Sequence, residues 1–118
     1  MTNIEGIAHK AYWDEEDEVL SPESFAVHPG PFFKRQIMTA KGITISSLAD
    51  HLMVARPGLT NMLNGKRPIT TPLALKLERA TGYPAVILCQ MQTIYDLAHD
   101  RSELEPEIDR IRPLAFAA

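Results

Sequence analysis

Between residues 56 and 67 the chain carries Arg56, Thr60, Asn61, Asn64, Lys66 and Arg67 with no acid among them. Arginine can grip guanine O6 and N7 with two hydrogen bonds, Asn and Thr can read base edges, and Lys or Arg can hold phosphate. Catalysis has less to build on. Cys89 is the one thiol, and His9, His28, His51 and His99 fall at no zinc-ligand spacing. Nucleophile-elbow, phosphate-loop and metalloprotease motifs are absent. Asp96 and Asp100, one turn apart, read as carboxylates on a solvated helix face. The expectation is a binding protein that is not an enzyme and holds no cofactor and no metal.

A chain of 118 residues, 45% hydrophobic and 23% charged, is one domain long and can bury a core without staples. A single cysteine excludes an internal disulfide framework and fits a reduced, cytoplasmic setting. The longest aliphatic run, residues 85–88, is too short to span a bilayer, so no membrane partner is expected. Net charge is only −3, yet it is unevenly spread. Residues 1–27 hold seven acids and one base, net −6; residues 28–82 hold eight bases and two acids, net +6; residues 83–118 are net −3. A compact basic segment presents a local field that a polyanion can feel although the whole molecule is acidic. Three parts follow: an acidic N-terminal arm over 1–27, a basic domain over 28–98 and a C-terminal tail over 99–118.

The residues of interest must be positioned by short helices. His28-Pro29-Gly30-Pro31 breaks the chain, and Pro31 fits the first turn of helix one, in which Phe33, Ile37 and Ala40 recur at helical spacing before Gly42. Thr44 caps a second helix whose Ile45, Leu48, Ala49 and Leu52 form one stripe. Met53, Val54 and Ala55 connect it to a third, with Arg56 as N-cap and Pro57 at the first helical position. There Leu59, Met62 and Leu63 point inward, Gly58, Thr60 and Asn61 outward, and Asn64-Gly65 signals a left-handed end. Thr70-Thr71-Pro72 opens a fourth helix with Leu73, Leu77 and Ala80 on one side, closed by Gly82. Pro84 begins a fifth of about four turns, in which Ile87, Leu88, Met91, Ile94, Tyr95 and Ala98 make a stripe wider than a small bundle needs. Ile87, Leu88, Met91, Ile94 and Tyr95 are therefore candidates for a homodimer face. Pro106 reads as a breaker, and Ile108, Ile111 and Leu114 fit either a short strand or an extended arm.

Two short helices joined by a tight turn, the second opening outward with Arg56, Thr60 and Asn61, are what a helix-turn-helix needs: a supporting helix and one whose first turns enter the major groove. Helix N-termini, here with Thr44 and Ser46, and nearby cations such as Lys66 and Arg67 hold phosphates. The stretch 28–98 resembles the HigA-type antitoxins of bacterial type II toxin-antitoxin modules, a branch of the Cro/repressor-like (XRE) helix-turn-helix family. The likeness is carried by His28-Pro29-Gly30, Leu48-Ala49, Leu59 with Asn61 through Lys66, Ala74-Leu75 with Leu77, Gln92, and Tyr95-Asp96-Leu97-Ala98. It implies an all-α, five-helix domain that dimerises on an inverted-repeat operator, represses its own operon and neutralises a ribosome-dependent ribonuclease toxin of the HigB/RelE type. By position, Arg56, Pro57, Thr60 and Asn61 fall on the base-reading face and Asn64, Lys66 and Arg67 in the backbone-clamping turn. Met53 stands where the family often has glycine, and Ile45 where it often has a polar residue. Pro57 and Gly58 replace side-chain donors, so readout rests on fewer groups. A stand-alone regulator without a toxin, or an interaction module that has lost DNA binding, are the alternatives.

Toxin contact is expected outside the helices, in the arm. Tyr12, Trp13, Asp14, Glu15, Glu16 and Phe25 combine acids with aromatic anchors suited to a basic partner, with the acidic tail as the rival site.

Overall fold

A computed structural model describes residues 26–115. The acidic arm with Tyr12, Trp13, Asp14, Glu15, Glu16 and Phe25 lies outside the described residues. Five helices follow in order, and the described residues contain no strand. Helix α1 starts at Pro29–Phe33 and continues as a π-helix over Lys34–Thr39; α2 is Ile45–Leu52, α3 Arg56–Leu63, α4 Thr71–Thr81 and α5 Ala85–Ile108.

Local chemistry explains most boundaries. Thr44 Oγ1 accepts from the Ser47 N–H at 3.1 Å, and Thr70 Oγ1 from the Leu73 N–H at 3.4 Å, each satisfying an otherwise orphaned donor of a first turn. Gly82 at φ 83° ends α4. At the end of α3, the Lys66 N–H donates to the Asn61 carbonyl and the Gly65 N–H to the Met62 carbonyl, the paired bonds of a Schellman cap with Gly65 at φ 78°. The same pair closes α2, from the Val54 N–H to Ala49 and from the Met53 N–H to Asp50, but the left-handed position is Met53 at φ 58°.

Four readings of the sequence are corrected. First, Pro29-Gly30-Pro31 does not break the chain but opens α1, with Pro31 in its first turn as expected, because His28 caps it: the Gly30 N–H donates to His28 Nδ1 at 2.9 Å. Second, its inward stripe is Phe33 with Met38, while Ile37 is half-buried and Ala40 exposed. The wider i→i+5 bonding of a π-helix lengthens the turn, so Met38 rather than Ile37 is the residue buried after Phe33. Third, Ala55 is the N-cap of α3, putting Arg56 and Pro57 at its first two positions. Fourth, α5 runs through the boundary drawn between 98 and 99 and through Pro106 to Ile108, and residues 112–115 have no regular structure, so neither strand nor break forms. Pro106 deprives only the Ser102 carbonyl of its helical partner, and Ser102 is exposed, so that carbonyl is open to solvent.

The core draws on every helix: Phe33 and Met38; Leu48, Ala49 and Leu52; Leu59, Met62 and Leu63; Ala74 and Leu77; Ala85 and Leu88, with Ile69 from the α3–α4 loop. Helix α3 packs on α1 and α2, which leaves its other side to solvent. No helix among the described residues is long and apolar enough to cross a membrane.

Candidate nucleic-acid interface

Helix α3 is bound to the domain by one face. Leu59, Met62 and Leu63 are at most 2% exposed. Arg56, Pro57 and Asn64 are exposed, and Thr60 and Asn61 half-buried, at positions one helical turn apart on the outer side. No acid lies in the first turn of α3, and no side chain caps it. Its positive dipole end and Arg56 therefore face solvent uncompensated. Beyond the cap, Lys66 and Arg67 are both exposed, as are Thr44 and Ser46 at the start of α2. Among the described residues no ion pair forms on Arg56, Lys66 or Arg67, while on α5 His99 contacts the carboxylates of Asp100 and Glu103. The Thr44 hydroxyl accepts a bond within α2, which leaves its hydrogen free to donate to a phosphate oxygen.

Sequence reasoning missed the groups that hold this surface. Lys34 Nζ of α1 donates to Asn64 Oδ1 at 3.1 Å, adding a cation at the end of α3 and taking up the carbonyl of a residue expected to meet the backbone directly. Gln92 Oε1 on α5 accepts the Ile69 N–H at 2.8 Å, while its Nε2 donates to Asp96 Oδ1 at 2.9 Å. His28, 7% exposed, bonds through Nε2 to the Arg67 carbonyl at 3.0 Å. Gly30 lies against the last turn of α3 so closely that a Cβ there would strike the Met62 carbonyl. The α3–α4 loop is thus pinned from α1 and from α5. These partners are 23 to 39 residues apart, and no local pattern announces them.

The expected dimer face is changed. Leu88 is fully buried and belongs to the core, with no surface to offer a second copy. Met91, Ile94 and Tyr95 are half-buried, Tyr95 against the edge of His28 at 5.0 Å, and Ile87 is exposed.

A groove of about 300 Å³ runs between α3 and α4, floored by Leu59, Met62 and Leu73 and edged by Arg67 and Lys76. No three His, Cys, Asp or Glu side chains among the described residues stand together to hold a metal.

The family model for the helix-turn-helix matches residues 34–88, from the π-helix to Leu88. A pinned recognition helix on a supporting helix, with a basic turn beyond it, defines a protein of that class. The chain is 33% identical over 93 residues to virulence-associated protein I of Dichelobacter nodosus, covering 79% of this chain and 85% of that one. It is 31% identical over 88 residues to antitoxin HigA-1 of Vibrio cholerae, covering 75% and 83%. The Pseudomonas aeruginosa antitoxin HigA, solved with the higBA promoter, superposes with a TM-score of 0.71 at 25% identity over 76% of this chain and 99% of that one. The chain belongs to the HigA-type antitoxins of the helix-turn-helix family.

Proposed function

We propose that this chain is an antitoxin and a DNA-binding autorepressor: a homodimer that binds an inverted-repeat operator in its own promoter, in the cytoplasm, and neutralises a ribonuclease toxin of the HigB/RelE type without being an enzyme itself. The observation that carries the DNA half is the solvent side of α3, where Arg56, Pro57, Thr60 and Asn61 share one face free of acids, beside the pinned turn with Asn64, Lys66 and Arg67. Thr44 and Ser46 at the start of α2 supply a second phosphate contact. The solved relative on its promoter supports the same use of the fold. The toxin half rests on family membership, with the acidic arm over 1–27 as the proposed contact and 28–98 as the proposed DNA-binding unit.

Binding to a duplex from upstream of the chain's own reading frame tests the interface. Arg56→Ala should cost about 1 to 3 kcal/mol per half-site and relax specificity, as loss of a guanine reader does. Lys66→Ala should weaken specific and random duplexes alike and shrink the salt slope by about one per half-site. Equal losses on both duplexes for Arg56→Ala would assign Arg56 to the backbone. Co-expression with the neighbouring reading frame tests the toxin half: rescue from growth arrest by the full chain and not by one lacking residues 1–27 is expected.

A further inference from the structure

His28 is the one buried titratable ring among the described residues, and the DNA-contact scheme makes no use of it. Its two nitrogens face opposite demands. Nδ1 accepts the Gly30 N–H at 2.9 Å, so the neutral ring carries its hydrogen on Nε2, which donates to the Arg67 carbonyl at 3.0 Å. One imidazole thus joins the cap of α1 to the middle of the basic turn. A second proton would sit on Nδ1 and face the Gly30 N–H, donor against donor. Gly30 has no room to withdraw, because it is packed on the Met62 carbonyl. Gly65, at the start of the same turn, lies against Pro31 and His28.

We infer that His28 is a positioning residue of the interface: its neutral imidazole latches the Lys66–Arg67 turn to α1, and a proton taken up at Nδ1 breaks the Gly30 half of that latch, so that the ring and the turn it holds come away from α1 and the grip on DNA weakens. This deepens the DNA-binding reading and rests on it. The charged and titratable groups around the ring come from three elements. Tyr95 on α5 meets its edge at 5.0 Å, with His99 stacked on Tyr95 at 6.4 Å and bearing the Asp100 and Glu103 contacts. Asp96, also on α5, draws a proton toward the ring, and the Arg67 carbonyl does so as well; burial outweighs both and holds the ring below its usual value. Lys34 on α1 is committed to Asn64. Gln92 does not titrate and keeps the Ile69 N–H, so opening the latch frees Lys66 and Arg67 without releasing the whole loop. A freed turn must be ordered again when it meets phosphate, which lowers affinity.

The full chain, its own upstream duplex and a random duplex are sufficient for the test. Operator affinity of the native chain should fall severalfold as pH drops from about 7.5 to about 5.5, within the limit of about tenfold that one unit of pKa coupling sets. His28→Gln, which can donate to Arg67 but gains no proton in that range, should bind more weakly at neutral pH and show no acid loss. The same profile in both proteins overturns the latch alone. Failure of the native chain to bind its upstream duplex at any pH overturns the DNA-binding reading and the latch's role together. Should His28→Gln not fold, nitrogen NMR of the native rings decides. Linkage requires operator binding to lower the His28 titration midpoint. A His28 midpoint that rises on binding overturns the latch.

Discussion

Gly30 and Gly58 both sit in helices, and their requirements are opposite. A methyl group on Gly30 meets the Met62 carbonyl, a backbone atom that cannot swing aside. A methyl group on Gly58 meets open space. Gly30→Ala should therefore cost about 3 kcal/mol or more by overpacking. Gly58→Ala should gain about 0.5 to 1 kcal/mol, since alanine has less backbone entropy to lose in a helix. Urea unfolding of the two variants checks both signs, and a loss of stability in Gly58→Ala would show that its backbone is not helical in solution. His28 belongs to the same scale. Its folded-state pKa lies below the ordinary 6.5, so the unfolded chain binds the proton first as pH drops. The stability it contributes is whole above about pH 6.5 and is lost as pH falls below that value. Unfolding free energy measured across that window should decline more steeply for the native chain than for His28→Gln.

Among the elements, the α2–α3 turn is the one built against local preference. Its Schellman cap needs a left-handed residue, and Met53 fills it at φ 58° with its side chain 88% exposed. The left-handed region costs a residue with a Cβ about 1 to 2 kcal/mol, and the exposed side chain has little burial with which to offset it. Met53→Gly should stabilise the domain by up to about 1 kcal/mol after the added entropy of the unfolded glycine is subtracted. A rise in melting temperature of about 4 to 8 °C per kcal/mol is the readout for a domain of this size. Unchanged operator affinity in that variant would show that Met53 supplies geometry and no contact.

At the scale of the whole molecule, a single α3 cannot read both half-sites of an inverted repeat, which lie about 34 to 36 Å apart. A homodimer is expected in sedimentation at tens of micromolar. With Leu88 committed to the core, Ile87 at 39% exposure is the member of the proposed face freest to meet a second copy. Ile87→Glu should shift the equilibrium to monomer while leaving the fold intact, and a dimer that persists in that variant would place the interface elsewhere.

The helices were legible because their signals are local. Thr44 and Thr70 cap the helices they precede, Asn64-Gly65 closes α3, and the apolar stripes of α2, α3 and α4 recur within one or two turns. A hydroxyl, a glycine or an apolar period acts on neighbours a few residues away, so the sequence alone was enough to expect an all-α helix-turn-helix and to mark Arg56, Lys66 and Arg67. Where the local signals tied, packing decided. The π-helix exchanged Met38 for Ile37 under Phe33, and Pro106 was carried inside α5 because its lost hydrogen bond faces water. By period alone Leu88 belongs to a surplus apolar stripe, yet the core closes over it. Only the tertiary structure revealed the latch, because His28 meets Arg67 across 39 residues and Gln92 meets Ile69 across 23. A hydrogen bond depends on distance in space, and separation along the chain carries no record of it until the chain is folded.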